Sequence, residues 1–204
     1  RTGYLGTAYG ALRNAGAGPG QKAFLAGLTG TLGVASTLLC LAMGVTRILG
    51  TGRNKDLLQR VKAFAPHRIE VLELGTSSAA KWGVEQTADV GADFVISALG
   101  ARAPVETMED SMFALKRGGR LVVIGGVSDP LPVNMKWLMD EQIRIIGSNW
   151  FTTEQGQELA DMVGAGVLDL SYLQDEVYPL ARVNEAISGL KERDGGFSNY
   201  VVCP

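Results

Sequence analysis

Cysteine is almost absent from this chain: two in 204 residues, at positions 40 and 203. Two thiols cannot build a disulfide framework or a four-thiolate zinc site. Histidine is scarcer, a single His67 beside Pro66. It reads as a surface turn residue, and no set of nucleophile, histidine and acid can be assembled around it. An excess of one charge is also missing. Nineteen Lys and Arg face 21 Asp and Glu, a net charge of −2, which excludes the basic face a general nucleic-acid binder needs. The one long uncharged run, residues 23–46, has the length of a membrane span. It carries Gly27, Gly30, Gly33, Gly44 and four threonines, so it reads instead as a strand, a glycine turn and a helix. No charged start followed by an apolar stretch and a cleavage site precedes it. The chain begins at Arg1, and the expectation is a cytoplasmic protein with no membrane partner. No repeat of 20 to 50 residues and no low-complexity tract is visible.

What is abundant is glycine, 27 of 204 residues, roughly double the ~7% average. With 46% hydrophobic and 20% charged residues, the chain is globular, and the glycines point to many tight turns. Short apolar runs alternate with longer amphipathic ones. Strands are expected at Lys22–Ala26, Arg47–Thr51, Ile69–Leu72, Asp93–Ser97, Arg120–Ile124 and Arg144–Ser148. Helices are expected at Thr7–Ala15, Leu32–Met43, Lys55–Phe64, Ala79–Thr87, Pro104–Leu115, Met135–Asp140 and Thr153–Gly164. Continuously apolar strands suit a parallel sheet covered on both faces. The fold class is therefore α/β, a doubly wound sheet of six parallel strands. A tail follows: Val177–Tyr178, a helix over Leu180–Glu192, a Gly195-Gly196 turn and a strand Asn199–Val202. It has no evident place in that sheet. The Lys191-Glu192-Arg193-Asp194 run reads as a solvated helix end. Trp150 and Phe151 wall a pocket, make a contact with a second copy, or pack the core.

The first strand runs into Gly27-Leu28-Thr29-Gly30-Thr31-Leu32-Gly33, and the turn opens a helix. That context is what a dinucleotide fingerprint requires. Gly27 and Gly30 let the backbone bend and let a pyrophosphate approach the amides, and Thr29 lies between them. Thr31 and Leu32 present the free N–H groups and the partial positive charge of a helix start. Gly33 permits close packing of helix on strand. The spacing is not G-x-G-x-x-G, because Leu occupies position 28. An NAD site places an acid about 20 residues further on. Here the second strand ends in Gly52-Arg53-Asn54. A carboxylate would repel a ribose 2′-phosphate, whereas Arg53 can pair with one, and Gly52 leaves room. The cofactor expected is NADP. A methyltransferase on a similar sheet is disfavoured by the same missing acid. No tyrosine is followed four residues later by lysine, as short-chain reductases need.

Gly6-Thr7-Ala8-Tyr9-Gly10-Ala11-Leu12, Pro19-Gly20-Gln21, Ala26 to Gly33, and Gly50-Thr51-Gly52-Arg53-Asn54 together resemble the medium-chain dehydrogenase/reductase superfamily. So do Ala92 to Gly100, Gly118 to Gly126, Tyr178-Pro179-Leu180 and Val201-Val202, in that order. The superfamily contains alcohol dehydrogenases and quinone oxidoreductases. The resemblance implies a Rossmann cofactor domain over residues 1–166. Residues 167–204 would then return to a largely missing GroES-like catalytic domain. It implies nicotinamide contacts from Thr7, Ala98, Gly125, Gly126, Ser148 and Asn149, and a homodimer formed through the sheet's edge strand. Where the zinc alcohol dehydrogenases carry a cysteine ligand, this chain has Gly3 beside Thr2, and neither replaces a thiolate. The quinone-reductase-like, zinc-independent branch is expected, with no metal ligands and no catalytic residue identifiable. The activity implied is hydride transfer between NADPH and a small carbonyl, enone, quinone or alcohol. A non-catalytic NADPH-binding structural or sensor module is the competing expectation.

Overall fold

The computed structural model describes residues 1–190 and 195–204. The chain opens with α1 (Thr2–Ala15), ended by Gly16 in the left-handed conformation. Then come β1 (Lys22–Ala26), α2 (Thr31–Ala42), β2 (Arg47–Gly52), α3 (Lys55–Lys62) and β3 (Ile69–Glu73). They are followed by α4 (Ala79–Glu85), β4 (Ala92–Ser97), α5 (Val105–Met112), β5 (Leu115–Val123), α6 (Met135–Asp140) and β6 (Arg144–Gly147). Beyond α7 (Thr153–Gly164) lie β7 (Gln174–Pro179), a 3-10 turn at Leu180–Arg182, α8 (Val183–Gly189) and β8 (Ser198–Cys203). The first six strands form one parallel sheet in the order β3-β2-β1-β4-β5-β6. The reversal lies between β1 and β4, and there the carboxyl ends of the strands open a crevice.

The expected strands fall within a residue or two of those found, apart from one. β5 starts at Leu115, five residues early, because Leu115 pairs with Ala92 before the register shifts. α1 also begins early, at Thr2, although Gly3, Gly6 and Gly10 weaken it as a helix. These glycines lie roughly along one face: the rings of Trp150 and Phe151 occupy the space at Gly3 and Gly6, and the Trp150 carbonyl and Gln155 side chain that at Gly10. The uncharged run divides as expected into β1, a turn and α2. Among the described residues, no helix is long and apolar enough to cross a membrane. The helix expected over Leu180–Glu192 is instead the 3-10 turn followed by α8. The charged run at 191–194, expected as its solvated end, lies outside the described residues.

Apolar residues on the two faces of the sheet make two cores. One joins α1 and α2 to β1 and β2, through Leu12, Leu25, Leu39 and Ile48. The other gathers Phe24, Leu49, Val95, Met112 and Leu121. The tail adds to the first core with Leu168, Leu173 and Phe197. Its own strands form a separate parallel pair, β7 with β8. His67 lies exposed in the turn before β3. Asp93 enters β4 by accepting a bond from the Lys22 amide at 2.7 Å and pairing with Lys116 at 2.6 Å.

Candidate functional site

The glycine turn is built by its neighbours. Gly27 has φ +87°, a left-handed conformation that strains any residue with a Cβ. The Gly27 and Leu28 amides both donate to the Thr51 carbonyl, at 3.2 and 2.8 Å, which locks the turn onto β2. Leu28, the residue that breaks the common spacing, is fully buried. Its methyl groups fill the space at Gly50, where an added Cβ would come within 2.6 Å of them. A side chain at Gly33 would overlap the Gly27 and Leu28 carbonyls, so α2 lies directly on the turn. Gly30 is the N-cap of α2 and offers no side-chain cap. The first amides of the helix therefore face the crevice with their partial positive charge. Beside them the Thr31 hydroxyl is buried with no hydrogen-bond partner among the described residues.

The crevice has a volume of about 650 Å³ and brings together residues from five loops. Gly27, Thr29 and Gly30 come from the turn, and Gly52, Arg53 and Asn54 from the end of β2. Ala98 and Arg102 follow β4, Leu74 follows β3, and Gly195 comes from the tail. No carboxylate is among these lining residues, and neither arginine has a described ion-pair partner. Asn54 also caps α3, its carboxamide oxygen accepting from the Leu57 amide at 3.1 Å. The space at Gly52 is narrower than its lack of a side chain suggests. An added Cβ would lie 3.1 Å from Leu58 and 3.2 Å from Thr29.

Sequence reasoning missed Arg102 and Gly195. Arg102 sits in a turn closed by the Ala103 amide donating to the Gly100 carbonyl at 2.9 Å. Only the strand order, which places β2 and β4 on either side of β1, brings it to Arg53's crevice. The Gly195-Gly196 pair, expected as a turn, is the signal for the second. Gly196 donates its amide to the Thr29 carbonyl at 2.8 Å, and a side chain there would overlap Gly30. The tail thus closes over the glycine turn.

The remaining candidates lie further along the carboxyl edge. Gly125 donates to the Ser97 carbonyl at 2.9 Å, and Gly126 to the Leu99 carbonyl at 3.0 Å. A Cβ at Gly125 would overlap Leu99, so that glycine lets two loops touch. The Thr7 hydroxyl donates to the Gly3 carbonyl at 2.8 Å, and the Ser148 hydroxyl accepts from Asn14 at 3.0 Å. Asn149 is exposed. Thr7, Gly125, Gly126, Ser148 and Asn149 are not part of the crevice lining, whereas Gly27, Thr29, Gly30, Gly52, Arg53, Asn54 and Ala98 are. Thr31 and Leu32 stand behind the turn in the first turn of α2. Among the described residues, no group of three or more His, Cys, Asp or Glu could hold a metal ion. Cys40 is buried, which pushes its thiol far above the usual range, and Cys203 is exposed on β8.

A family model described as zinc-binding dehydrogenase matches residues 31–165. No curated protein matches the sequence. Among solved structures, the chain is similar to the alcohol dehydrogenase TADH from Thermus sp. ATN1, with a TM-score of 0.86 and 18% identity over 98% of this chain and 56% of that one. It is similar to the alcohol dehydrogenase of Aeropyrum pernix, with a TM-score of 0.81 and 19% identity over 99% and 56%. It also resembles acetophenone reductase from Geotrichum candidum in complex with NAD, with a TM-score of 0.76 and 23% identity over 99% and 54%. At these identities the likeness is one of fold. The chain spans little more than half the length of the structures it matches.

Proposed function

This chain belongs to the zinc-binding dehydrogenase family, and we propose that it is the cofactor-binding part of an NADPH-dependent oxidoreductase. Hydride would pass between the nicotinamide and a small carbonyl, enone, quinone or alcohol. The observation that carries the cofactor choice is the crevice wall: Arg53 and Arg102 line it with no carboxylate among the described lining residues. Two guanidiniums with no ion-pair partner among the described residues favour a ligand with an additional phosphate, and Arg53 stands where an acid would otherwise hold a ribose hydroxyl.

The residues fit such a cofactor. The start of α2 and the bare turn at Gly27 and Gly30 would take the pyrophosphate, with the unpartnered Thr31 hydroxyl beside it. Arg53 and Asn54 would take the phosphorylated ribose. Leu57, Leu74, Leu99 and Pro104 supply apolar surface to the same crevice, suited to the adenine. Thr7, Ser148 and the loops at Gly125 and Gly126 would face the nicotinamide, which when bound supplies or accepts hydride. The family name implies zinc, but the residues of this chain do not fit it. Gly3 and Thr2 offer no ligand, and no cluster of ligands exists among the described residues.

Residues 1–166 form the cofactor domain in this reading, and β7 and β8 belong to the edge of a catalytic domain. A second copy pairs along β6, the outer strand, where Arg144, Ile145 and Gly147 are exposed, as are Met135 and Met139 on the preceding α6. The test is to add NADPH or NADH to the full-length protein and follow oxidation with enones, quinones and aldehydes. NADPH-linked turnover is expected. Tight NADPH binding with no turnover on any acceptor would instead establish a binding module without catalysis.

A further inference from the structure

We infer that Trp150 is a specificity-determining residue, a flat wall just beyond the carboxyl end of β6 on which a planar conjugated acceptor stacks. The inference deepens the oxidoreductase reading above and rests on it.

Trp150 has φ +63°, a left-handed conformation that is unusual for so bulky a side chain. Its neighbours impose it. α7 starts in a reciprocal cap: the Gln155 amide donates to the Thr152 hydroxyl at 3.2 Å, and the Thr152 amide donates to the Gln155 side-chain oxygen at 3.0 Å. Phe151 is seated on Gly6, Gly10 and Gly156, and the Trp150 carbonyl lies where a Cβ on Gly10 would come within 2.8 Å. The chain has to leave β6 at Gly147, insert Phe151 into that glycine seat and begin α7 two residues later. Trp150 absorbs the bend.

Its ring is left outside, 60% exposed. Trp82 and Trp137 are both half-buried and packed edge-on against Phe24 and Phe113. Trp150 instead stacks on Phe151, with centroids 5.3 Å apart and planes 24° from parallel. The Phe151 ring holds it from behind, so a ligand would meet a surface already fixed in place. The far edge of the indole reaches Gly3, where an added Cβ would come within 3.4 Å. Any side chain at position 3 would cover that edge, and glycine leaves it bare. Thr7 lies one turn further along α1 and Ser148 two residues before the indole. The ring therefore stands just beyond the carboxyl end of β6, on the edge of the sheet where ligands of such folds bind. An electron-rich indole held in place suits offset stacking with an electron-poor planar ring. The geometry thus selects aryl quinones and aryl enones over small acyclic carbonyls.

The test uses the full-length protein and the variants W150A, W150F and W150G. The substrates are phenanthrenequinone and methyl vinyl ketone with saturating NADPH. In W150A the preference for the quinone, as a ratio of kcat/KM values, is expected to fall about fivefold, mostly through KM. W150F restores most of it. Quinone binding without NADPH is expected to quench tryptophan emission in the wild type much more than in W150F. W150G, which relieves the left-handed strain, is expected to show an unchanged or higher melting temperature while the preference still falls. Equal losses on both substrates would overturn the inference and leave Trp150 a packing residue. So would a quench unchanged in W150F, or a W150G that melts early. If the wild type reduces neither acceptor, the oxidoreductase reading fails, and the quench alone decides whether a planar ring meets Trp150.

Discussion

The two ends of the sheet's carboxyl edge are built differently. At the β1–β2 end, β1 is buried at four of five positions and β2 at five of six. Leu28 fills Gly50, α2 lies on the glycine turn, and Gly196 ties the tail to Thr29. At the β6 end, three of four strand residues are exposed and Trp150 lies bare. One end is finished by this chain's own residues. The other leaves its last strand and the Trp150 ring exposed.

The strongest way to break this contrast is a methyl group at each end. G33A places a Cβ among the Gly27 and Leu28 carbonyls, which cannot swing aside. A loss of about 3 kcal/mol in denaturant unfolding is expected, together with loss of nucleotide binding. G147A on β6, where nothing lies within 4 Å of an added Cβ, is expected to change stability by no more than about 0.5 kcal/mol. Comparable losses in the two variants would remove the distinction.

A second comparison concerns charge. R53A is expected to weaken NADPH about 30-fold, since a hydrogen bond to a charged group contributes about 2 kcal/mol, and to leave NADH nearly unchanged. R102A is expected to give a smaller loss for NADPH. Both effects should shrink as salt rises, because the two arginines are exposed. Calorimetry at two ionic strengths checks this.

The smallest effect concerns the clip between α1 and α7. Tyr9 donates to Glu158 at 2.7 Å, and Arg13 pairs with the same carboxylate. The Arg13 bond, followed by that from Tyr9, holds Glu158 below the ordinary carboxylate range. A depressed acid stabilises the fold above its unfolded value of about 4.3 and loses that contribution as pH falls through the folded value. The melting temperatures of wild type and E158Q should therefore differ slightly at pH 7 and converge as pH falls below about 4. A gap that widens in acid would contradict the assignment.

The same contrast explains what could be read from the sequence. The strands β1, β2 and β4 are apolar runs bounded by glycine or small polar residues, and their positions follow from local pattern. So does the fingerprint, because Gly30 and Gly33 answer to contacts within the turn itself, although Gly27 also meets Ala98 after β4. Arg102 has no such signal: it meets the crevice only through the order of the sheet. α1 was read five residues short because Gly3 and Gly6 look like helix breakers, whereas their lack of side chains makes room for the rings of Trp150 and Phe151. β5 was read short because its first residues pair with β4 across a register shift. Thr7, Gly125, Ser148 and Asn149 rest on the resemblance alone: no local pattern singles them out, and none of them lines the crevice.

The most direct measurement isolates the adenosine end. Titrate the protein with 2′,5′-ADP and with 5′-AMP, which differ by the one phosphate assigned to Arg53. Binding of 2′,5′-ADP at least tenfold tighter, with the difference abolished in R53A, is the result expected. Equal affinities, or tighter binding of 5′-AMP, would contradict the claim that this crevice selects a phosphorylated ribose.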